Sequence, residues 1–176
     1  MTKSVSRHSS GKIAIISDSH DNIPNIQKFL DFANKNNIEM IIHCGDLAAP
    51  SIIMKELGPK FKGPIHFIHG NVADRELNLK VADEFDHVTC HGDVGEIEVD
   101  GKKIAFCHYP NQAKELAESG KYDLVFYGHN HTPWEEQIGK TKMLNPGTLA
   151  GMFNKATFAV YDMDTDKVEL ILLEKI

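Results

Sequence analysis

The sequence predicts an α/β domain in which two β-sheets pack face to face and helices cover their outer faces. Three observations carry this. The first third alternates short apolar runs with helical periodicity, and the last third is mostly strand. No linker, repeat or low-complexity segment divides the 176 residues, a usual length for one domain.

Taken in order, Ile13-Ala14-Ile15-Ile16 is a short β-branched run and reads as a buried strand. From Ile23 to Asn37, apolar residues at Ile23, Ile26, Phe29, Leu30 and Ala33 mark one face of a helix, with Pro24 tolerated in its first turn. Met40-Ile41-Ile42 is the next strand. Ser51 to Leu57 reads as a short helix ended by Gly58-Pro59, and Ile65 to Ile68 as a third strand. The middle is broken into short segments carrying Val88, Val94, Ile97 and Val99. There Asp100-Gly101 signals a hairpin leading into Ile104-Ala105-Phe106. Residues 111–119 read as a helix, 123–127 as a strand, and 134–138, 141–144, 156–161 and 167–173 as the closing strands.

Composition narrows the function classes. Net charge is −6 with no long run of Lys or Arg, which argues against nucleic acid as a bulk electrostatic partner but not against small phosphate ligands. No segment approaches ~18 consecutive apolar residues, so no membrane span is expected. Cys44, Cys90 and Cys107 are odd in number and not closely paired, which points to a reducing, cytoplasmic compartment. The first ten residues are rich in Ser, Lys and Arg and lack an apolar signal core. Residues 1–11 are therefore set aside as a disordered tail, and the domain is placed at 12–176.

The chemistry lies just beyond the strands. Asp18-Ser19-His20 follows the first, His43-Cys44-Gly45-Asp46 the second and His69-Gly70-Asn71 the third. His108 follows Ile104–Phe106, and His129 and His131 follow Leu124–Tyr127. Each of these residues has a bland reading alone: Asp18 or Asp46 as a helix cap, Asn71 as a turn residue, His108 as a half-buried histidine. Together they place an O or N donor beyond five strand ends, where sites in open α/β sheets form. Seven donors are too many for one transition metal and suit two if a carboxylate bridges. Glycine precedes the donor in Gly45-Asp46, Gly70-Asn71 and Gly128-His129, as a tight or positive-φ turn would require.

Asp18-x-His20, Gly45-Asp46, Gly70-Asn71, His108 and Gly128-His129-x-His131, in that order, resemble the motifs of the calcineurin-like metallophosphoesterase superfamily. The chain looks most like its small single-domain bacterial and archaeal phosphodiesterase branch. The resemblance runs from about Lys12 to the C-terminus, and Asn145-Pro146-Gly147-Thr148 is similar to a late turn in those proteins. It implies a four-layer αββα sandwich of two mixed β-sheets flanked by helices. It also implies a dinuclear centre, with one metal on Asp18, His20, Asp46 and His131 and the other on Asp46, Asn71, His108 and His129. On extended backbone, His129 and His131 would leave the chain on one side, each for a different metal, while Asn130 points away. The sequence departs from the pattern in two places. Tyr109-Pro110 stands where relatives carry Gly and often His, and Val72 stands where monoester-active relatives carry His after the Asn. The segment Gly70-Asn71-Val72-Ala73-Asp74 is also one residue longer than usual, so Asp74 receives no role.

The donor set suits phosphate chemistry. Two divalent ions against the carboxylates Asp18 and Asp46 leave a positive surplus that can hold an anionic phosphate. Two metals ~3.5–4 Å apart can clamp a phosphoryl group while a hydroxide bridging them attacks in line. Mixed N and O ligands suit Mn, Fe, Zn or Ni over Mg or Ca, and the resemblance favours Mn²⁺. In this reading Asp46, Asn71, His129 and His131 act in catalysis through the metals, and Asn22 and Arg75 are candidate phosphate contacts. The expected substrate is a small phosphate ester, foremost a diester, since no general acid is evident. Phosphomonoester hydrolysis, a nuclease and an inactive protein-interaction scaffold on the same fold are the alternatives. Retention of all seven donors favours an enzyme over the scaffold, and a homo-oligomer is compatible with the sequence.

Overall fold

The computed structural model describes residues 11–176. The expected tail lies outside the described residues except for Gly11, which is buried and accepts the Met163 N–H at 3.1 Å, so it belongs with the folded domain. The elements run β1 (Lys12–Ile16), α1 (Ile23–Lys35), β2 (Ile38–His43), a π-wound turn (Ile53–Leu57) continuing into α2 (Gly58–Lys60), β3 (Ile65–Phe67), α3 (Arg75–Ala82), β4 (Val88–Cys90), β5 (Val94–Val99), β6 (Lys102–Cys107), α4 (Pro110–Glu118), β7 (Leu124–Phe126), β8 (Trp134–Ile138), β9 (Thr141–Asn145), β10 (Thr157–Asp162) and β11 (Lys167–Leu172).

Two mixed sheets form, ordered β11-β10-β1-β2-β3-β4 and β5-β6-β7-β9-β8. In the first, β1 through β4 run parallel, β10 runs antiparallel to β1 and β11 antiparallel to β10; in the second, β6, β7 and β9 run parallel between antiparallel edges. The period of two along a strand explains the four layers. Ile13 and Ile15 of β1, with Ile104 and Phe106 of β6, fill the space between the sheets. The alternate residues Ala14 and Ile16 pack with Ile26, Phe29, Leu30 and Ala33 of α1. Ala105 and Cys107 pack with Ala113 and Ala117 of α4. Strands covered on both faces read as continuous apolar runs, and β1 and β7 do. Among the described residues no helix is long and apolar enough to cross a membrane.

Local chemistry sets the boundaries. Asn22 caps α1 by accepting the Asn25 N–H at 3.2 Å. The Asp100-Gly101 hairpin forms as expected, with φ of 47° and 80° at its two turn residues. Two expectations need correction. Gly58-Pro59 does not stop the helix, because the Gly58 N–H donates five residues back to Ile53, and this wider winding absorbs a proline that has no N–H to place. The phenyl ring of Phe85 lies 2.6 Å from where a Gly58 Cβ would stand, which explains the glycine. Helix α3 was not expected. Leu77 and Leu79 are exposed, so it lacks the apolar stripe that sequence reading needs. Its start is set by Asp74, which caps it through the Leu77 N–H at 3.1 Å, and its last turn docks on the core through Val81 and Ala82.

Candidate metal centre

The donor-bearing strands divide between the sheets. β1, β2 and β3 are parallel neighbours in one, and β6 and β7 are parallel neighbours in the other. The carboxyl ends of both sets meet at one edge of the sandwich, so the expected adjacency holds within each sheet and the site spans the gap between them. All seven donors come together there. His131 Nε2 is 3.1 Å from Asp18 Oδ1, and His20 Nε2 is 3.8 Å from the same oxygen. His108 Nε2 and His129 Nδ1 stand 3.0 Å and 3.1 Å from Asn71 Oδ1, and 3.3 Å from each other. Asp46 Oδ2 lies between the clusters, 3.7 Å from His20 Nε2 and 3.5 Å from His108 Nε2.

The backbone is bent to achieve this. Asp18, His20, Asp46, His129 and His131 all have left-handed φ, between 40° and 74°. Such geometry is uncommon for non-glycine residues and persists where the surroundings over-determine it. It corrects the extended conformation expected at His129 and His131: two left-handed residues, not strand alternation, turn both imidazoles inward. Asn130, expected to point away, lines the cavity, with its amide oxygen accepting from Asn145 Nδ2 at 2.7 Å. The glycines divide in role. Gly45 takes a φ of 98°, whereas Gly70 and Gly128 permit close approach. A Cβ on Gly70 would fall 1.9 Å from Asp46 Oδ1, and one on Gly128 the same distance from Ser17 Oγ.

The supporting groups, which sequence alone did not name, aim each donor. Asp18 is buried. Its Oδ2 accepts from Ser17 Oγ at 2.6 Å and from the His129 N–H at 3.0 Å, which leaves Oδ1 facing the cluster. Asp46 Oδ1 accepts the Val72 N–H at 2.9 Å, which leaves Oδ2 free. His108 Nδ1 donates to the Cys44 carbonyl at 2.8 Å and His131 Nδ1 to the Met152 carbonyl at 3.2 Å. A carbonyl only accepts, so each ring carries a proton on Nδ1, and it is Nε2 whose lone pair a cation would take when the ring is neutral. Buried His43 meets Ser19 Oγ at 2.9 Å and holds the loop between Asp18 and His20. The Asn145–Thr148 turn clamps the site from behind: Asn145 Nδ2 donates to the Gly128 carbonyl at 3.0 Å and Thr148 Oγ1 to the Asp18 carbonyl at 3.0 Å.

The residues fit cations. Asp18 Oδ1 and His20 Nε2 are buried polar atoms with no hydrogen-bond partner. The ligand atoms of Asp18, His20 and His131, and of Asp18, Asp46 and His108, each lie within 4.8 Å of one another. Electrostatics agree. Burial pushes the Asp18 and Asp46 carboxyls up, but the neighbouring His20 imidazole and the Ser17 hydrogen bond at Asp18, and the His108 imidazole and the Val72 N–H at Asp46, outweigh it and hold both below the usual range. His20 is raised by the Asp18 carboxylate beside it. Burial pushes His108 down, but the bonds to Asp46 and the Cys44 carbonyl outweigh it and raise it. Protein geometry thus favours positive charge at the centre of the cluster.

The two candidate phosphate contacts are elsewhere. Asn22 spends both ends of its amide, one on the α1 cap and one on the Ala150 carbonyl at 2.9 Å. Arg75 begins α3 and pairs with Asp93 at 2.7 Å. Neither lines the cavity of about 330 Å³ over the donors, whose walls are His20, Asp46, Asn71, His129, Asn130, His131, Met152 and Phe153. Met152 and Phe153 escaped sequence reading because they belong to a loop that no motif marks. Tyr109 packs its ring edge-on against His129 at 4.8 Å.

Comparison with known proteins agrees with this geometry. The family model described as the calcineurin-like phosphoesterase superfamily domain matches residues 12–166. A phosphodiesterase from Methanocaldococcus jannaschii is 32% identical over 167 residues, covering 93% of this chain and 99% of the relative. The solved structure of an archaeal phosphodiesterase superposes with a TM-score of 0.80 at 28% identity, covering 92% of this chain and 99% of that one. Vps29 from Entamoeba histolytica, solved as a complex with zinc, shares the fold at a TM-score of 0.65 and 17% identity, covering 92% and 99%. With a family match across most of its length and its donors gathered at the carboxyl ends of both sheets, the chain belongs to the calcineurin-like phosphoesterase superfamily.

Proposed function

We propose that the chain is a phosphodiesterase that works with two divalent ions, one held by Asp18, His20, Asp46 and His131, the other by Asp46, Asn71, His108 and His129. The observation that carries this is the division of the donors into two clusters that share Asp46 Oδ2, 3.7 Å from His20 Nε2 and 3.5 Å from His108 Nε2. When bound, such ions supply Lewis-acid charge to the phosphoryl oxygens and acidify the attacking water for a single in-line displacement. The imidazole and oxygen donors suit Mn²⁺ first, then Fe, Zn or Ni.

The chain's own residues define what the site can do. Asp18 and Asp46 are the only carboxylates in the donor set, so the surplus positive charge is not quenched and an anionic ester is attracted. Outside the donors, the cavity walls offer Asn130, Met152 and Phe153, none of which can give a proton to a departing oxygen. Val72, next to Asn71, is exposed and has its N–H committed to Asp46. A leaving group must therefore depart without help from a free side-chain acid, which favours activated esters, diesters with a good leaving group among them. The phosphodiesterase name of the M. jannaschii relative supports the same substrate class.

The test compares a diester and a monoester of the same nitrophenol with the Mn²⁺-supplied protein. Faster diester hydrolysis is expected, and a much higher monoester rate overturns the substrate assignment. Inversion at a chiral phosphorothioate diester is expected of the single displacement, and retention refutes it.

A further inference from the structure

Phe153 is 91% exposed, the most of any large apolar residue among the described residues; Trp134, the next, is 56% exposed. Its φ is 65°, a left-handed value that a bulky aromatic residue rarely takes. The segment around it is fastened to the metal centre on both sides. The Met152 carbonyl accepts from His131 Nδ1 at 3.2 Å, and Asn154 Nδ2 donates to the His131 carbonyl at 3.0 Å. These bonds hold the strained residue between them with its ring centroid 5.7 Å from that of His131, at the rim of the cavity. Apart from Met152, every other wall of that cavity is polar. A phosphate ester seated on the donors would carry its organic group toward this single apolar side.

We propose that Phe153 is a substrate-binding platform that selects phosphate esters bearing a planar aromatic ring, by stacking that ring while the phosphoryl group sits at the metal centre. This rests on the phosphoesterase function proposed above and specifies its substrate class. Stacking suits an exposed phenyl face, because any flat ring with a π-face can use it. Pinning the segment through His131 fixes the spacing between ring and phosphoryl positions, so an ester with a small alkyl group gains nothing from the platform.

Phenylphosphonate and methylphosphonate separate the two contributions without turnover. Isothermal titration into the Mn²⁺-supplied protein is expected to give tighter binding of the phenyl compound, by about 5- to 150-fold from the usual range for ring stacking. Phe153→Ala should erase that ratio and leave the methylphosphonate affinity unchanged, while Phe153→Trp should keep it. The side chain is almost wholly exposed, so neither substitution threatens the fold. Equal affinities for the two compounds in the native protein, or a ratio that survives Phe153→Ala, overturn the platform alone. Binding of neither phosphonate removes the phosphoesterase reading, and the platform with it.

Discussion

Removing the Ser17 hydroxyl tests whether the centre depends on the groups that aim its donors. Ser17 and Asp18 are both fully buried, so water cannot replace a lost bond between them. The hydroxyl has one proton and two acceptors within reach, Asp18 Oδ2 at 2.6 Å and the Cys44 carbonyl at 3.3 Å, and the closer, charged oxygen takes it. Ser17→Ala leaves Oδ2 with the His129 N–H alone, and the carboxylate is freer to turn Oδ1 away from His131 and His20. A hydrogen bond to a buried charge contributes about 1.5–3 kcal/mol. At 1.4 kcal/mol per tenfold, loss of that amount from the metal-bound state lowers metal affinity by roughly 10- to 150-fold, close to the effect of removing groups that orient metal ligands. Any part that does not appear in affinity should appear in the stability of the metal-free protein. The assays are competition for Mn²⁺ against a chromophoric chelator and urea unfolding of the metal-free protein at pH 7. The stability deficit should shrink in acid, where Asp18, whose carboxyl is held low in the fold, takes up a proton. A variant matching the native protein in both assays would refute the reasoning.

Gly70→Ala forces a methyl to within 1.9 Å of Asp46 Oδ1 and 2.4 Å of the Asp46 backbone nitrogen, so it should cost about 1–3 kcal/mol of stability and disturb metal binding, read by the same two assays. Phe106→Ala, which empties a fully buried position between the sheets, should cost about 3–5 kcal/mol in urea unfolding. Burial holds His43 down to about 4, below its ordinary value of 6.5, so the unfolded chain binds more protons between those pH values. Stability from this group is therefore complete above the ordinary value and is lost as pH falls toward 4, by about 3 kcal/mol in all. Unfolding of the metal-free protein across that window should show a shallower pH dependence in His43→Gln, and an unchanged slope would contradict the assignment.

The strands were legible because burial on both faces leaves unbroken apolar runs, as in Ile13–Ile16 and Leu124–Phe126. The donors were legible because each comes directly after such a run. Helix α3 was not, because Leu77 and Leu79 face outward and the apolar residues it packs against the core, Val81 and Ala82, stand only at its end, while its start is set by the Asp74 cap. The left-handed backbone at Asp18, Asp46 and His131 was hidden for a related reason: no glycine stands there to announce it, and the strain is held by contacts from distant segments. Asn22 and Arg75 were candidates because they lie near the donors in sequence, but capping and a local ion pair claim their polar atoms first. Phe153 lacks any periodicity or motif, and only its position over the cavity gives it meaning.

Metal stoichiometry tests the central claim most directly. Protein stripped with chelator, dialysed against excess Mn²⁺ and freed of unbound ion should hold about two ions per chain by mass spectrometry of the eluted metal, as a dinuclear centre requires. Asn71→Ala, which removes a donor from one cluster without changing net charge, should hold about one. A native protein that takes up one ion or none under generous supply, or an Asn71→Ala variant with full metal content, would contradict the account.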